Sequence, residues 1–88
     1  LNAFFCILIG MFYVYLLKSI KSGLLYTGMT TNVESRIKEH NAGKSKFTKG
    51  HIPWVLVYRE GPFERLEART REKQLKRTEE KQRVLRQH

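Results

Sequence analysis

Residues 12–18, FYVYLLK, place aromatic and β-branched side chains on both faces of an extended chain. A strand of this kind is typical of the centre of a sheet, where both faces are covered. The turn-forming residues 19–23, SIKSG, and a second apolar segment at residues 24–29 follow it. Residues 12–29 are therefore predicted to form a β-hairpin whose first strand is central.

The register of this hairpin decides which side chains share a face of the sheet. A loop of either two or four residues pairs Tyr15 with Gly28 and Leu17 with Tyr26. Because side chains alternate along a strand, Tyr15 and Tyr26 are then predicted to lie on one face. Tyrosines on strands are usually packing residues, and it is their shared face that favours a functional interpretation.

The rest of the chain predicts three helices and one more strand. The first helix is expected to begin at Thr31, the N-cap of a capping box with Glu34, and to end at Ala42, with Gly43 as its stop. A strand at 52–59 and a turn at 60–62 are expected next. A second helix at 63–77 and a third helix capped by Thr78 are expected to follow. The predicted fold class is α+β, a small three-stranded antiparallel sheet (the N-terminal hairpin plus one strand) flanked by about three helices.

Composition limits the partners of the chain. Its 88 residues suffice for one domain with a thin core. The 17 Lys and Arg against 8 Asp and Glu give a net charge of +9, which indicates a polyanionic partner, nucleic acid before an anionic membrane. A basic surface without such a partner is the alternative. The single cysteine, Cys6, excludes an internal disulfide, and a reducing cytoplasm fits.

The N-terminal 17 residues carry no charge, a length at the lower limit for a membrane span. They lack the charged start and the cleavage site of a signal peptide. The sequence begins with Leu and has a Met at position 11, so residues 1–10 are predicted to be an upstream extension and residues 11–88 the domain. No stable membrane association is expected, and a signal anchor over residues 1–17 is the alternative.

Polar residues interrupt the apolar stripe of the first predicted helix. Its inward face carries Val33, Arg36, Ile37 and His40 at helical spacing. Two inward polar groups cost free energy unless they find partners or line a cleft. The alternative is that Arg36 extends past the edge of the sheet and that His40 is a hydrogen-bonded residue at the rim.

Glu72 repeats this pattern on the second predicted helix, where it falls between Ala68 and Leu75 on the apolar stripe. An i, i+4 ion pair with Lys76 explains its charge but not its inward placement. A carboxylate close to an arginine, a histidine and two tyrosines has the composition of a site for a hard cation.

Together these residues resemble the motifs of the GIY-YIG nuclease superfamily. Five features in order carry the resemblance: YVY at 13–15, YTG at 26–28, Arg36, His40 and, within EARTRE, Glu72. The similarity covers residues 11–86 and is greatest to small single-domain bacterial members, which are similar to the nuclease domain of the bacterial excision-repair nuclease. The sequence departs from the family's motifs at Tyr13, Thr27 and Met29.

The resemblance implies hydrolysis of a phosphodiester with one divalent cation, Mg²⁺ or Mn²⁺, for which Glu72 is the direct protein ligand. It implies that Arg36 binds a phosphate oxygen. It also implies that Tyr15 or Tyr26 accepts a proton from the attacking water, with help from His40, Arg36 or the metal. Gly28 is expected to let the backbone approach the substrate.

DNA is the expected substrate ahead of RNA, with structure-selective or non-specific cleavage in DNA repair or processing. The residues expected to contact the phosphate backbone are Lys44, Lys46 and Lys49 in the loop and Lys73, Lys76, Arg69, Arg71 and Arg77 further on. The alternative for these is a solvated surface with pairs such as Glu67–Arg71. The alternative function is a non-catalytic nucleic-acid-binding module on the same scaffold.

Overall fold

The fold is a sheet with helices on both faces, seen in a computed structural model that describes residues 10–87. Its elements in chain order are β1 (Phe12–Ser19), β2 (Leu25–Thr30), α1 (Val33–Asn41), a 3₁₀ turn (Lys49–His51), β3 (Trp54–Phe63), α2 (Arg65–Leu75) and α3 (Thr78–Arg86). The strands form one antiparallel sheet in the order β2-β1-β3. The predicted α+β class and the central position of the first strand are confirmed.

The central strand β1 supplies core residues to both faces of the sheet. Val14 and Leu16 pack with Ala68, Leu75 and Val84 of α2 and α3 on one face, called here the aliphatic face. The opposite face, called the tyrosine face, packs Tyr15 and Leu17 against Val33 of α1 and against Trp54. Burial of neighbouring residues on both faces is the reason for the uninterrupted apolar sequence of β1.

The hairpin has the predicted register, with Tyr15 opposite Gly28 and Leu17 opposite Tyr26. The amide of Ser19 donates to the carbonyl of Leu24 at 2.9 Å, which closes the longer of the two loops considered. Tyr15 and Tyr26 therefore lie on the same face of the sheet, as expected from the alternation of side chains.

The predicted caps of two helices are wrong by one residue. Asn32, not Thr31, caps α1, and its Oδ1 accepts from the amide of Ser35 at 3.1 Å. Glu34 does not close a capping box, because its carboxylate accepts from Arg59 of β3 at 2.8 Å. Likewise Arg77 is the N-cap of α3, and Thr78 is the first helical residue.

Strand β3 is longer than predicted and includes the expected turn at 60–62. Strand β1 is long enough to pair along the whole of β3. Phe12 pairs with Phe63 and Val14 pairs with Glu60, with a register shift between these two pairs. Helix α2 consequently begins at Arg65, two residues later than predicted, and it ends at Leu75.

The uncharged N-terminal stretch is only partly described. Residues 12–17 belong to β1, whereas residues 1–9, nearly all of the predicted extension, lie outside the described residues. Among residues 10–87, every helix is too short or too polar to cross a bilayer.

An ion-pair network centred on Arg71 holds α2 and α3 against the sheet. The Arg71 guanidinium donates to Glu60 of β3 and, at 2.6 Å, to Glu80 of α3. These side chains are 17–21% exposed, so water screens them only in part. Arg71 thus bridges three elements. It forms neither the expected contact with phosphate as a free side chain nor the alternative pair with Glu67.

We expect Arg71→Ala to lower the free energy of unfolding by about 1–3 kcal/mol, because the largely buried Glu60 loses its cation and Glu80 keeps only Arg83. Urea unfolding measures this change. Arg69→Ala on the exposed side of the same helix is the matched control and is expected to change stability by less than about 0.5 kcal/mol. Equal stability of the two variants contradicts a structural role for the network.

Candidate active site

The hydroxyl of Tyr15 lies over the edge strand of the sheet because the residue beside it is glycine. A Cβ added to Gly28 would lie 2.5 Å from Cζ of Tyr15 and 3.0 Å from its Cε2, and closer still to its hydroxyl. Such distances are too short for van der Waals contact, so Gly28 is required to seat the ring. That Gly28 also lets the backbone approach the substrate stays a prediction.

His40 connects the Tyr15 hydroxyl to the loop that follows α1. The imidazole is fully buried, with Nε2 3.1 Å from the Tyr15 hydroxyl and Nδ1 2.8 Å from Oγ1 of Thr48. Thr48 is also buried, and its carbonyl accepts from the indole N–H of Trp54 at 2.9 Å. Both ring nitrogens thus have partners, which offsets the cost of burying the imidazole.

Thr48 is the residue of this site that the sequence analysis missed. It lies in the basic loop, eight residues after its partner His40 and in no helical or strand period with it. A hydroxyl in a polar loop gives no signal of burial, because Ser and Thr are usually solvated there. Only the folding of the loop over the tyrosine face brings the two side chains together.

Two proton arrangements satisfy this chain of hydrogen bonds. In one, the Tyr15 hydroxyl donates to Nε2 and the Nδ1–H of His40 donates to Thr48. In the other, Nε2–H donates to the Tyr15 oxygen and Nδ1 accepts from Thr48. Only the first arrangement leaves His40 able to take the proton of Tyr15, which is the arrangement that general-base chemistry needs.

The electrostatics of the site keep both groups neutral near pH 7. Burial, with a contribution from the nearby Tyr26, raises the pKa of Tyr15 to about 12, although hydrogen bonding to Arg36 opposes the shift. Burial and then the charge of Arg36 lower the pKa of His40 below 6.5. The resting site is therefore a neutral phenol hydrogen-bonded to a neutral imidazole.

Arg36 reaches the same hydroxyl from the preceding turn of α1. Its interaction with the Tyr15 phenol opposes the rise of the pKa of Tyr15, and its Nη1 lies 2.7 Å from Oε1 of Glu39. Its side chain is 34% exposed, so one side of the guanidinium is open to solvent. Arg36 was predicted to point inward, and its side chain lies at the rim of the tyrosine face. Its carboxylate partner is on the same helix.

The second tyrosine packs on His40 by its ring. The Tyr26 and His40 centroids are 5.1 Å apart in an edge-to-face arrangement, and the Tyr26 ring is 6.5 Å from that of Tyr15. The Trp54 ring lies a further 6.2 Å from Tyr26. The two predicted tyrosines are thus brought to the same histidine, Tyr15 through its hydroxyl and Tyr26 through ring contact.

Glu72 approaches this group from the opposite face of the sheet. Helix α2 packs on the aliphatic face, yet the charge of Glu72 contributes to the raised pKa of Tyr15. The carboxylate is 19% exposed and lies 3.9 Å from the Lys76 ammonium, a long ion pair that leaves its oxygens able to bind a cation.

A divalent cation at Glu72 would have few protein ligands. Residues 10–87 contain no group of three or more His, Cys, Asp and Glu arranged to hold a metal. One carboxylate completed by water and phosphate oxygens is a donor set that suits Mg²⁺, which keeps most of its water. The oxygen donor present at Glu72 therefore fits the expected cofactor.

The five predicted lysines, Lys44, Lys46, Lys49, Lys73 and Lys76, are all exposed.

Two of the positions that depart from the family's motifs have structural partners. The Thr27 hydroxyl donates to the carbonyl of Leu75, the last residue of α2, at 3.2 Å, and the guanidinium of Arg59 lies 4.8 Å from the Tyr13 ring. Thr27 thus joins the edge strand to the helix that carries Glu72.

We expect Gly28→Ala to displace the Tyr15 ring and to lower the free energy of unfolding by about 1–3 kcal/mol, the usual cost of overpacking. Chemical denaturation measures the loss. Gly50→Ala is the matched control, since its Cβ would meet nothing within 4 Å. A Gly28→Ala protein as stable as Gly50→Ala contradicts the seating role.

The lowered pKa of His40 predicts a dependence of stability on pH. The folded state holds His40 neutral, so below about pH 6.5 the unfolded state binds a proton that the folded state does not. The contribution of His40 to the free energy of unfolding is then at its maximum above this pH. It decreases as the pH falls, by at most about 1.4 kcal/mol per pH unit. Urea titrations at pH 7.5, 6.5 and 5.5 measure the slope. His40→Gln is expected to flatten it, and an unchanged slope in that variant contradicts the assignment.

Comparison with known proteins identifies the family of the chain. Residues 11–85 match the GIY-YIG catalytic domain. A UPF0213 protein of Staphylococcus haemolyticus is 54% identical over 65 residues, 73% of this chain and 78% of that protein. A UPF0213 protein of Clostridium perfringens is 45% identical over 82% of this chain and 77% of that protein. One of Natronomonas pharaonis is 46% identical over 73% of this chain and 75% of that protein. No solved structure matches significantly. The chain therefore belongs to the GIY-YIG family, whose domains are of the nuclease type.

Proposed function

We propose that the chain is a metal-dependent endonuclease that hydrolyses phosphodiester bonds in DNA. The observation that carries the proposal is the hydrogen bond between the Tyr15 hydroxyl and Nε2 of His40, at 3.1 Å, next to an arginine with an open side. A proton acceptor and a phosphate-binding cation at one point are what in-line attack on phosphorus needs.

Tyr15 and His40 act together as the proton acceptor in this proposal. The attacking water gives its proton to the Tyr15 oxygen while the phenol proton moves to Nε2 of His40. The hydroxide forms the new bond to phosphorus, the bond to the leaving oxygen breaks, and a proton from solvent completes the leaving hydroxyl. Tyr15 is preferred to Tyr26 because its hydroxyl is the group bonded to the imidazole.

Arg36 and Glu72 bind the substrate from the two sides of the edge strand. The guanidinium of Arg36 accommodates a non-bridging phosphate oxygen on its open side while Glu39 holds the other. The carboxylate of Glu72 would hold Mg²⁺ or Mn²⁺, which when bound neutralises charge on the phosphate and the leaving oxygen.

The wider surface supports a nucleic-acid substrate. A net charge of +9 and five exposed lysines near the site favour binding to a phosphate backbone. Residues 10–87 contain no second module for reading sequence, so structure-selective or non-specific cleavage is proposed. DNA is favoured over RNA, and repair or processing in the cytoplasm is proposed as the role, by similarity to the excision-repair nuclease domain.

A non-catalytic nucleic-acid-binding module is the second candidate. The observation that favours it is the burial of Tyr15, which is 1% exposed and whose pKa is raised to about 12. A phenol this well covered reaches a water only after a local movement that uncovers its hydroxyl. The binding function needs no such movement and uses the same basic surface.

We expect Glu72→Gln to reduce DNA cleavage with Mg²⁺ or Mn²⁺ by at least about 100-fold, because the metal ligand is lost while the shape of the side chain is kept. Cleavage of flapped, branched, single-stranded and duplex DNA is measured together with the thermal unfolding midpoint. Glu79→Gln, at an exposed carboxylate of α3, is the control with expected wild-type cleavage.

Two results separate the candidates. A Glu72→Gln protein that cuts as fast as the wild type contradicts the assignment of Glu72. A wild type that cuts none of the four substrates, but binds them with an affinity that falls steeply with salt, favours the binding module.

A further inference from the structure

Phe47 is an aromatic side chain held in solvent beside the candidate active site. It is 71% exposed, although its neighbour in sequence, Thr48, is fully buried. Single exposed apolar side chains are common on protein surfaces, so exposure alone assigns no ligand to Phe47. The surroundings of the ring indicate which ligand fits this position.

The loop that carries Phe47 is fixed at its base. Thr48 is anchored to His40 at 2.8 Å and to the indole of Trp54 at 2.9 Å. The amides of Thr48 and Lys49 both donate to the carbonyl of Ser45, at 3.2 and 3.0 Å. The backbone on either side of Phe47 is therefore pre-organised, which lowers the entropy that binding through its ring would cost.

The ring of Phe47 forms one wall of an open groove of about 510 Å³. The residues that line it are Leu25, Tyr26, Thr27, Phe47, Lys76 and Lys81. The Phe47 and Tyr26 centroids are 5.9 Å apart and tilted by 40°, so the groove continues directly from the aromatic cluster around His40. One wall is thus aromatic, and the other carries two ammonium groups.

A nucleotide with an exposed base has the matching chemistry. A base presents a π face to the Phe47 ring, and its phosphate presents charge to the lysines. Lys76 is 58% exposed and only loosely paired with Glu72, so its ammonium is available to an anion. In a duplex both faces of each base are covered by neighbouring bases, and only an unpaired base can stack on a single exposed ring.

We propose that Phe47, Lys76 and Lys81 form a binding site for an unpaired nucleotide, with the base stacked on Phe47 and the phosphate against the two lysines. The proposal deepens the proposed function and rests on it for the nature of the ligand, a nucleic acid. It assigns the substrate class as single strands or strands with unpaired ends next to the scissile bond. DNA and RNA offer the same stacking chemistry, and the experiment separates them.

Binding without cleavage tests this site. Fluorescein-labelled oligothymidylate, oligouridylate and a blunt DNA duplex are titrated in EDTA and followed by anisotropy. Phe47→Ala is expected to weaken binding of the single strands by about 5- to 100-fold, the range for loss of one stacked base. Binding of the duplex is expected to change by less than about threefold. Phe47→Trp is expected to restore single-strand binding.

The matched control is Leu66→Ala, at an apolar side chain on α2 that is 82% exposed and lies outside the groove. It is expected to bind all three probes as the wild type does. A loss confined to oligothymidylate or to oligouridylate supports the site and identifies the sugar that it accepts.

The proposal is overturned if Phe47→Ala binds the single strands as the wild type does, or weakens duplex and single strands equally. It is also overturned if sedimentation shows a wild-type dimer that Phe47→Ala dissolves with single-strand binding unchanged, since a second copy is then the occupant. Because the assay measures binding in the absence of metal, it tests the Phe47 site even in a protein that does not cleave DNA. An unaffected Phe47→Ala in a protein that cuts DNA removes this site and leaves the proposed function intact.

Discussion

The buried imidazole of His40 is the contact on which the rest of the site depends. It joins the central strand, through Tyr15, to the loop after α1, through Thr48. Each of its two nitrogens has one partner, so neither the tyrosine nor the loop can shift without leaving a buried polar atom unpaired. The same loop presents the Phe47 ring and ends at the 3₁₀ turn before β3. One side chain therefore sets the positions of the hydroxyl, the loop and the exposed aromatic.

The sheet brings residues from opposite faces to a common edge. Helix α1 covers the tyrosine face and helix α2 the aliphatic face, so Arg36 and Glu72 would be separated by the sheet if the site lay over its centre. Strand β2 is at the edge, and the Tyr15 ring reaches across it above Gly28. The bond from Thr27 to the end of α2 holds that helix against the same strand. The edge strand β2 thus meets the Tyr15 ring on one face of the sheet and the end of α2 on the other.

Periodicity predicted most of this arrangement, and hydrogen bonds explain what it missed. The alternation of side chains placed Tyr15 and Tyr26 on one face, and helical spacing placed His40 and Glu72 inward, because these patterns follow from backbone geometry. The N-cap at Asn32 escaped prediction because Glu34 has a partner on β3, 25 residues away. Arg71 was expected to contact phosphate, or alternatively to pair within its helix, and instead joins β3 to α3. Partners on other elements or in loops leave no periodic signal. This is also the reason that Thr48, eight residues after His40, was missed.

Gly28 has a consequence for how this protein can be altered. Glycine weakens a strand by about 0.5–1 kcal/mol relative to alanine, and an edge strand is where engineers would first seek to recover that stability. Replacing Gly28 with a larger residue cannot recover this stability, because the space for its side chain is filled by the Tyr15 phenol. The same atoms fill this part of the core and hold the Tyr15 hydroxyl within hydrogen-bonding distance of His40. Improvement of thermal robustness in this fold must therefore come from the far edge at β3 or from the helices, away from the strand that bears the glycine.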